Sequence, residues 1–177
     1  MRIDQVQIYR YRLPLHRPIT LRGYRLESRD GFVLKITTDS GDLAWGEVAP
    51  LPGFSRESLP DAELQLRELR AGLRGNLIPS GLERLDGGFG NWLGHSRLTP
   101  SVSVGVETAV LQLISRAKDR PMRRLLCDNA RDSIAVNALL SGAEDDIVEK
   151  AARLAAEGFT AFKLKIGRKP QIGRAHV

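Results

Sequence analysis

The order of hydrophobic periods along the chain limits its fold more than any other feature. Apolar residues alternate at period two in the first part, repeat at helical spacing over residues 58–118, and run strand, helix, strand over residues 133–166. A strand–helix–strand run needs a crossover connection, so its two strands are predicted to be parallel and the crossover right-handed. The opening part has no such helix between its strands and is predicted to be an antiparallel meander.

In that opening part, residues 2–13 (RIDQVQIYRYRL) are rich in β-branched and aromatic side chains and predict a strand. Pro14 and Pro18 interrupt it, and residues 14–30 are predicted to be a long loop. Residues 31–38 place Phe32, Leu34 and Ile36 on one face. The turn chemistry of Asp39-Ser40-Gly41-Asp42 then returns the chain through residues 43–48. Such a sheet must cover its apolar face. Ser58, with Asp61 in the first turn, is expected to cap a helix carrying Leu59, Ala62, Leu66, Leu69 and Leu73. Residues 74–100 predict irregular structure, and a second helix is expected from about Ser103 to Lys118. A domain boundary is expected near residues 121–132. Beyond it, residues 133–140 and 159–166 predict strands. Between them lies a helix with a capping-box pattern at Ser141–Glu144 and a stop at Gly158.

The composition, 42% hydrophobic and 27% charged, is that of a globular chain. No apolar run approaches the roughly 20 residues that span a bilayer, and the N-terminus has no signal-peptide core, so the expected compartment is the cytoplasm. The single cysteine, Cys127, excludes an internal disulfide framework and a multi-cysteine zinc site. The net charge is +6, and residues 1–30 hold seven arginines. Nucleic acid, an anionic membrane or a small polyanionic substrate would suit that charge, as would a solvated arginine-rich surface. The Tyr9-Arg10-Tyr11-Arg12 run suggests a basic nucleic-acid-binding module. Alternation in a strand would put its aromatics and arginines on opposite faces, which weakens that reading.

Lys163 and Lys165 carry the most chemical information. On the last predicted strand Thr160, Phe162, Leu164 and Ile166 share one face, expected to pack under helices, and Lys163 and Lys165 share the other. Their spacing is roughly 6–7 Å by strand rise. Mutual repulsion and partial desolvation would lower a lysine pKa, leaving one amine as a general base and its neighbour to hold a carboxylate. An exposed strand with two snorkelling lysines fits the same pattern.

Taken together, these residues resemble the enolase superfamily, and within it the o-succinylbenzoate synthase family. The likeness is carried by Leu21–Leu26 through Ser28-Arg29-Asp30-Gly31 and by the Trp45-Gly46-Glu47-Val48-Ala49-Pro50-Leu51-Pro52-Gly53-Phe54-Ser55 run. It continues through Pro100–Val106 and Lys163-Leu164-Lys165-Ile166-Gly167. The resemblance implies an α+β cap domain, an antiparallel meander plus helices, over residues 1–125. The first two strands of a truncated (β/α) barrel would follow over residues 126–170. It implies a Mg2+-dependent lyase of menaquinone biosynthesis acting on a dianionic small-molecule carboxylate, with no nucleic-acid or membrane partner. Lys165 would be the base and Lys163 the carboxylate partner. Pro52, Gly53, Phe54 and Ser55 would border the substrate, or alternatively form a structural turn. An N-acylamino acid racemase or dipeptide epimerase would share the lysines.

Metal ligands and a second catalytic lysine are expected on later strands. Because no Asp or Glu follows Glu157, the chain is expected to hold no metal and to be inactive alone. Residues 171–177 are expected to be a non-native tail, since Ile172–Val177 is what the sequencing-adapter string ATC-GGA-AGA-GCA-CAC-GTC encodes. An uncovered final strand is expected to favour aggregation.

Overall fold

A computed structural model describes residues 1–94, 98–140, 142 and 144–164. Two compact units divide the chain, Met1–Ala130 and Arg131–Val177.

The first unit is built on a three-stranded antiparallel sheet in the order β1 (Ile3–Leu21), β2 (Tyr24–Thr38), β3 (Leu43–Val48). The loop predicted over residues 14–30 is instead the outer half of a long β1–β2 hairpin. Arg22 and Gly23, both at positive φ (46° and 87°), close it in a two-residue turn whose twist suits a hairpin. Pairing runs from Ile3↔Thr38 to Pro14↔Ser28, breaks, and resumes at Ile19↔Leu26. The prolines are tolerated because β1 is an edge strand and the break in register begins at Pro14 and contains Pro18.

One face of the sheet is apolar. Val6, Phe32, Leu34, Ile36, Ala44 and Val48 are buried there, facing Ala62, Leu66, Leu69 and Leu73 of α1 (Leu59–Leu73) and Val102, Val106, Val110 and Leu113 of α3 (Pro100–Ala117). The expected cap of α1 is a reciprocal box: the Asp61 N–H donates to Ser58 Oγ (3.3 Å), and the Ser58 N–H donates to Asp61 Oδ2 (2.9 Å). α3 begins three residues before its expected start, with Thr99 as its flanking residue and Pro100 in its first turn. The region predicted as irregular holds a 3-10 turn at Leu82–Arg84 and the short α2 (Gly88–Trp92), which bury Leu82 and Phe89. The short α4 (Met122–Leu126) follows α3.

Two contacts fix the sheet. A Cβ on Gly46 would lie 1.9 Å from the Gly105 carbonyl oxygen, and one on Gly105 would lie 2.4 Å from Val48 Cγ2. β3 and α3 therefore meet backbone to backbone. Gln112 of α3 also bonds both peptide groups of Trp45, accepting from its N–H (3.2 Å) and donating to its C=O (2.8 Å). On the other sheet face the Tyr11 ring lies over Gly31, and its hydroxyl donates to Glu47.

The second unit holds β4 (Ala138–Leu140), α5 (Glu144–Ala156) and β5 (Phe162–Leu164). Its strands are parallel, with Leu139 opposite Lys163, as the crossover predicts. β4 is shorter than the predicted 133–140: Ile134 and Val136 are exposed and lie outside it. α5 stops at Gly158 (φ 99°), as expected. Phe162 and Leu164, on the face able to pack under helices, are 39% and 50% exposed, in line with the uncovered final strand expected of a truncated barrel. α5 packs on β4, and among the described residues β4 is the one strand paired with β5. Ser141 and Ala143 of the expected cap, Ile166 and the predicted tail lie outside the described residues.

Gly46→Ala should cost about 1–3 kcal/mol or more, since backbone rather than a flexible side chain must move. A urea titration of the chain should show a lowered midpoint, and Gly72→Ala, with open space at its Cβ, should not. Burial, reinforced by the bond to Glu47, raises the Tyr11 pKa from 10.0 to about 12. The unfolded phenol ionises first, so between those values the unfolded state binds fewer protons than the folded state. The contribution of Tyr11 to stability is therefore expected to be constant below pH 10 and to be lost towards pH 12. Ultraviolet titration of phenolate should show one late step near 12, removed by Tyr11→Phe.

Candidate active site

Where β3 ends, the chain crosses to the outer half of the hairpin. Between them lies a cleft of about 490 Å3, bordered by Tyr24–Asp30 on one side and by Pro50, Pro52, Gly53 and Ser55–Leu59 on the other. Inside the 50–55 segment the Ser55 hydroxyl accepts from the Leu51 N–H (2.8 Å), while the Phe54 and Ser55 N–H groups donate to the Leu51 carbonyl (3.0 and 2.8 Å). Ser55 thus closes a turn, the structural role left open for it. Gly53 takes φ 79°, and a Cβ there would meet Tyr24 Cδ2 at 2.9 Å, so the turn rests directly on the hairpin tip. Phe54 is 56% exposed, with the Arg22 guanidinium 4.7 Å from its ring centroid.

Both ends of the segment are held by charged side chains that the sequence reading did not single out. Arg29, half-buried on β2, donates to the carbonyl of Pro50 (2.8 Å) and to that of Ala49. Glu57 is 7% exposed, and its Oε1 accepts from the Ser101 N–H (2.9 Å) in the first turn of α3. Burial works to raise the Glu57 pKa. Hydrogen bonds from Ser101 and from the Arg56 and Glu57 backbone together outweigh it, and the carboxyl ends below its usual range. The only local sequence signal for Arg29 was its place in the Ser28–Gly31 run.

Arg12 forms a bidentate pair with Asp30, with Nε and Nη2 at 2.9 and 2.7 Å from Oδ2, and Arg10 lies 3.9 Å from Glu63. Tyr9 packs beside Trp45, at 6.2 Å between ring centroids. Arginines and aromatics of the 9–12 run thus point apart, and no nucleic-acid surface is indicated. Glu47 accepts from Tyr11 on the exposed face of the sheet. His16 is exposed, and His95 lies outside the described residues.

Lys163 is exposed on β5, on the face opposite Phe162 and Leu164. Lys165 lies outside the described residues. Among the described residues no group of three or more His, Cys, Asp or Glu side chains could hold a metal ion, so these residues do not fit a Mg2+ site. No helix among them is long and apolar enough to cross a membrane.

Residues 3–77 match the family model described as MenC, N-terminal domain. An o-succinylbenzoate synthase from Edwardsiella ictaluri (strain 93-146) is 31% identical over 177 aligned positions, covering 89% of this chain and 54% of the relative. The chain thus spans about half the length of that relative. Among solved structures, a member of the enolase superfamily from Roseovarius nubinhibens ISM, complexed with magnesium, superposes with a TM-score of 0.76 at 25% identity. It covers 95% of this chain and 45% of that one. The fold is also that of an N-succinyl Arg/Lys racemase from Bacillus cereus ATCC 14579 (TM-score 0.80, 22% identity, 96% and 45% covered). The chain has an antiparallel sheet under helices, followed by a parallel strand pair; residues 3–77 are similar to the MenC N-terminal domain, and the fold is similar to that of an enolase-superfamily member.

Proposed function

We propose that this chain is the cap and the opening barrel strands of an o-succinylbenzoate synthase, a carbon–oxygen lyase of menaquinone biosynthesis. Residues 1–125 would be the cap and residues 126–170 the start of the barrel, a reading supported by the division of the chain at Ala130/Arg131. The observation that carries the proposal is the MenC match over residues 3–77, because it includes the Trp45–Ser55 run whose end borders the cleft.

In this reading Lys165 takes the proton α to a substrate carboxylate. The Lys163 ammonium lies against that carboxylate and, as a neighbouring positive charge, disfavours protonation of Lys165. The electron pair left on carbon then expels the β-hydroxyl, which leaves as water on gaining a proton, and the ring becomes aromatic. Pro52, Gly53, Phe54 and Ser55 would border the substrate, with Pro52, Gly53 and Ser55 lining the cleft and Phe54 exposed beside it. Any Mg2+ would be held by carboxylates that this chain does not supply and would contribute charge stabilisation.

The likeness to the N-succinyl Arg/Lys racemase fold supports a second reading on the same lysines, in which the carbanion is reprotonated instead of losing hydroxide. A chain extended to the full length of the relatives should show Mg2+-dependent dehydration. Lys165→Ala should lower kcat by about 10²–10⁴-fold. Lys163→Ala should raise KM as well as lower kcat. Retained dehydration in Lys165→Ala would remove the proposed base. Racemisation without dehydration in the extended chain would favour the second reading.

A further inference from the structure

Pro50 is buried and Leu51 half-buried at the base of the cleft-bordering turn, but its tip has no buried apolar side chain to hold it: Pro52 and Phe54 are exposed, and Gly53 has none. Its position is set from its two ends and by the hairpin tip. At the far end, Glu57 ties the chain to α3 and the core. At the near end, the one charged side chain bonded to the segment among the described residues is Arg29, which spans from β2 to two successive carbonyls, Ala49 and Pro50. Neither carbonyl belongs to a strand or helix, and Pro50 and Pro52 provide no N–H for local pairing. A guanidinium suits this task because its planar fork presents several donors at fixed angles. Half-burial strengthens those bonds relative to water. The same strand carries the chain to the hairpin tip, where Arg22 and Tyr24 meet Phe54 and Gly53. Arg29 therefore links the base of the hairpin's outer half to the base of the turn, and the two tips meet beyond it.

We infer that Arg29 is a positioning residue for substrate binding: by holding the Ala49 and Pro50 carbonyls it sets where Phe54 stands, without touching substrate itself. The inference rests on the reading of residues 50–55 as a substrate border. Its consequences differ from those of a general stabiliser. A residue that only supports the fold would lower the amount of active enzyme. A residue that sets Phe54 changes KM, and does so only while Phe54 is present.

The test is a double-mutant cycle in the full-length enzyme, with KM, kcat and melting temperature measured for each variant. Phe54→Ala should raise KM roughly tenfold or more, as expected for loss of an apolar wall. Arg29→Met should raise KM to a similar extent with kcat little changed. Arg29→Lys, which keeps the charge but not the fork, should fall between Arg29→Met and the parent. In the Phe54→Ala background, Arg29→Met should add little further change in KM. Should Arg29→Met be poorly folded, Arg29→Lys in both backgrounds supplies the same cycle. If Phe54→Ala leaves KM unchanged, the substrate-border reading fails and the Arg29 inference with it. If Phe54→Ala raises KM but the Arg29 effect is additive to it, or appears only in melting temperature, Arg29 is a structural residue. The border reading then stands alone.

Discussion

The contact between Gly46 and Gly105 sets the geometry from which the rest of the first unit follows. With no side chain at either position, α3 lies on β3 at the distance of its backbone atoms. That brings Val102, Val106 and Val110 against Phe32, Leu34 and Val48 and leaves α1 to cover the rest of the same face. It also fixes where β3 stops and where α3 begins. The segment from Ala49 to Ser58 must leave β3 at one end and pass the first turn of α3, where Glu57 meets Ser101, at the other. The place of the cleft is thus decided by two glycines that are not in it.

The hairpin provides the second boundary. Its inner half lies on the helices and is buried on one side, while its outer half is largely exposed. Strand pairing alone does not hold a free ribbon in one place. Here it is held by contacts to the 50–55 turn: Arg29 at the base, Tyr24 against Gly53, and Arg22 over Phe54. Each of the two projecting pieces is the other's support, and both lie at the border of the cleft.

Much of this was legible in the sequence. Ser58 and Asp61 announced the α1 box through a local spacing rule, and the sheet's buried face followed from period-two alternation at Phe32, Leu34 and Ile36. The parallel pairing of β4 with β5 followed from the helix between them. What local reading missed were long-range effects. Pro14 and Pro18 read as a loop because the break in register that accommodates them is set by β2. Arg29 and Glu57 bond to partners 20 and 44 positions away, so no periodicity could mark them. Pro52–Ser55 stood out only as part of a longer familiar run, and which of its members border substrate is a question of contacts rather than of pattern.

Gln112 has a role beyond the helix that carries it. β3 is the outer strand of the sheet, and its peptide groups would ordinarily offer a template to any extended segment in solution. The carboxamide of Gln112 occupies both groups of Trp45 with the same donor–acceptor pair that a neighbouring strand would present. On the opposite edge Pro14 and Pro18 remove two donors from β1. Each edge of the sheet thus has part of its pairing capacity taken up by side chains of this chain, which leaves fewer free peptide groups at which an extended segment could add.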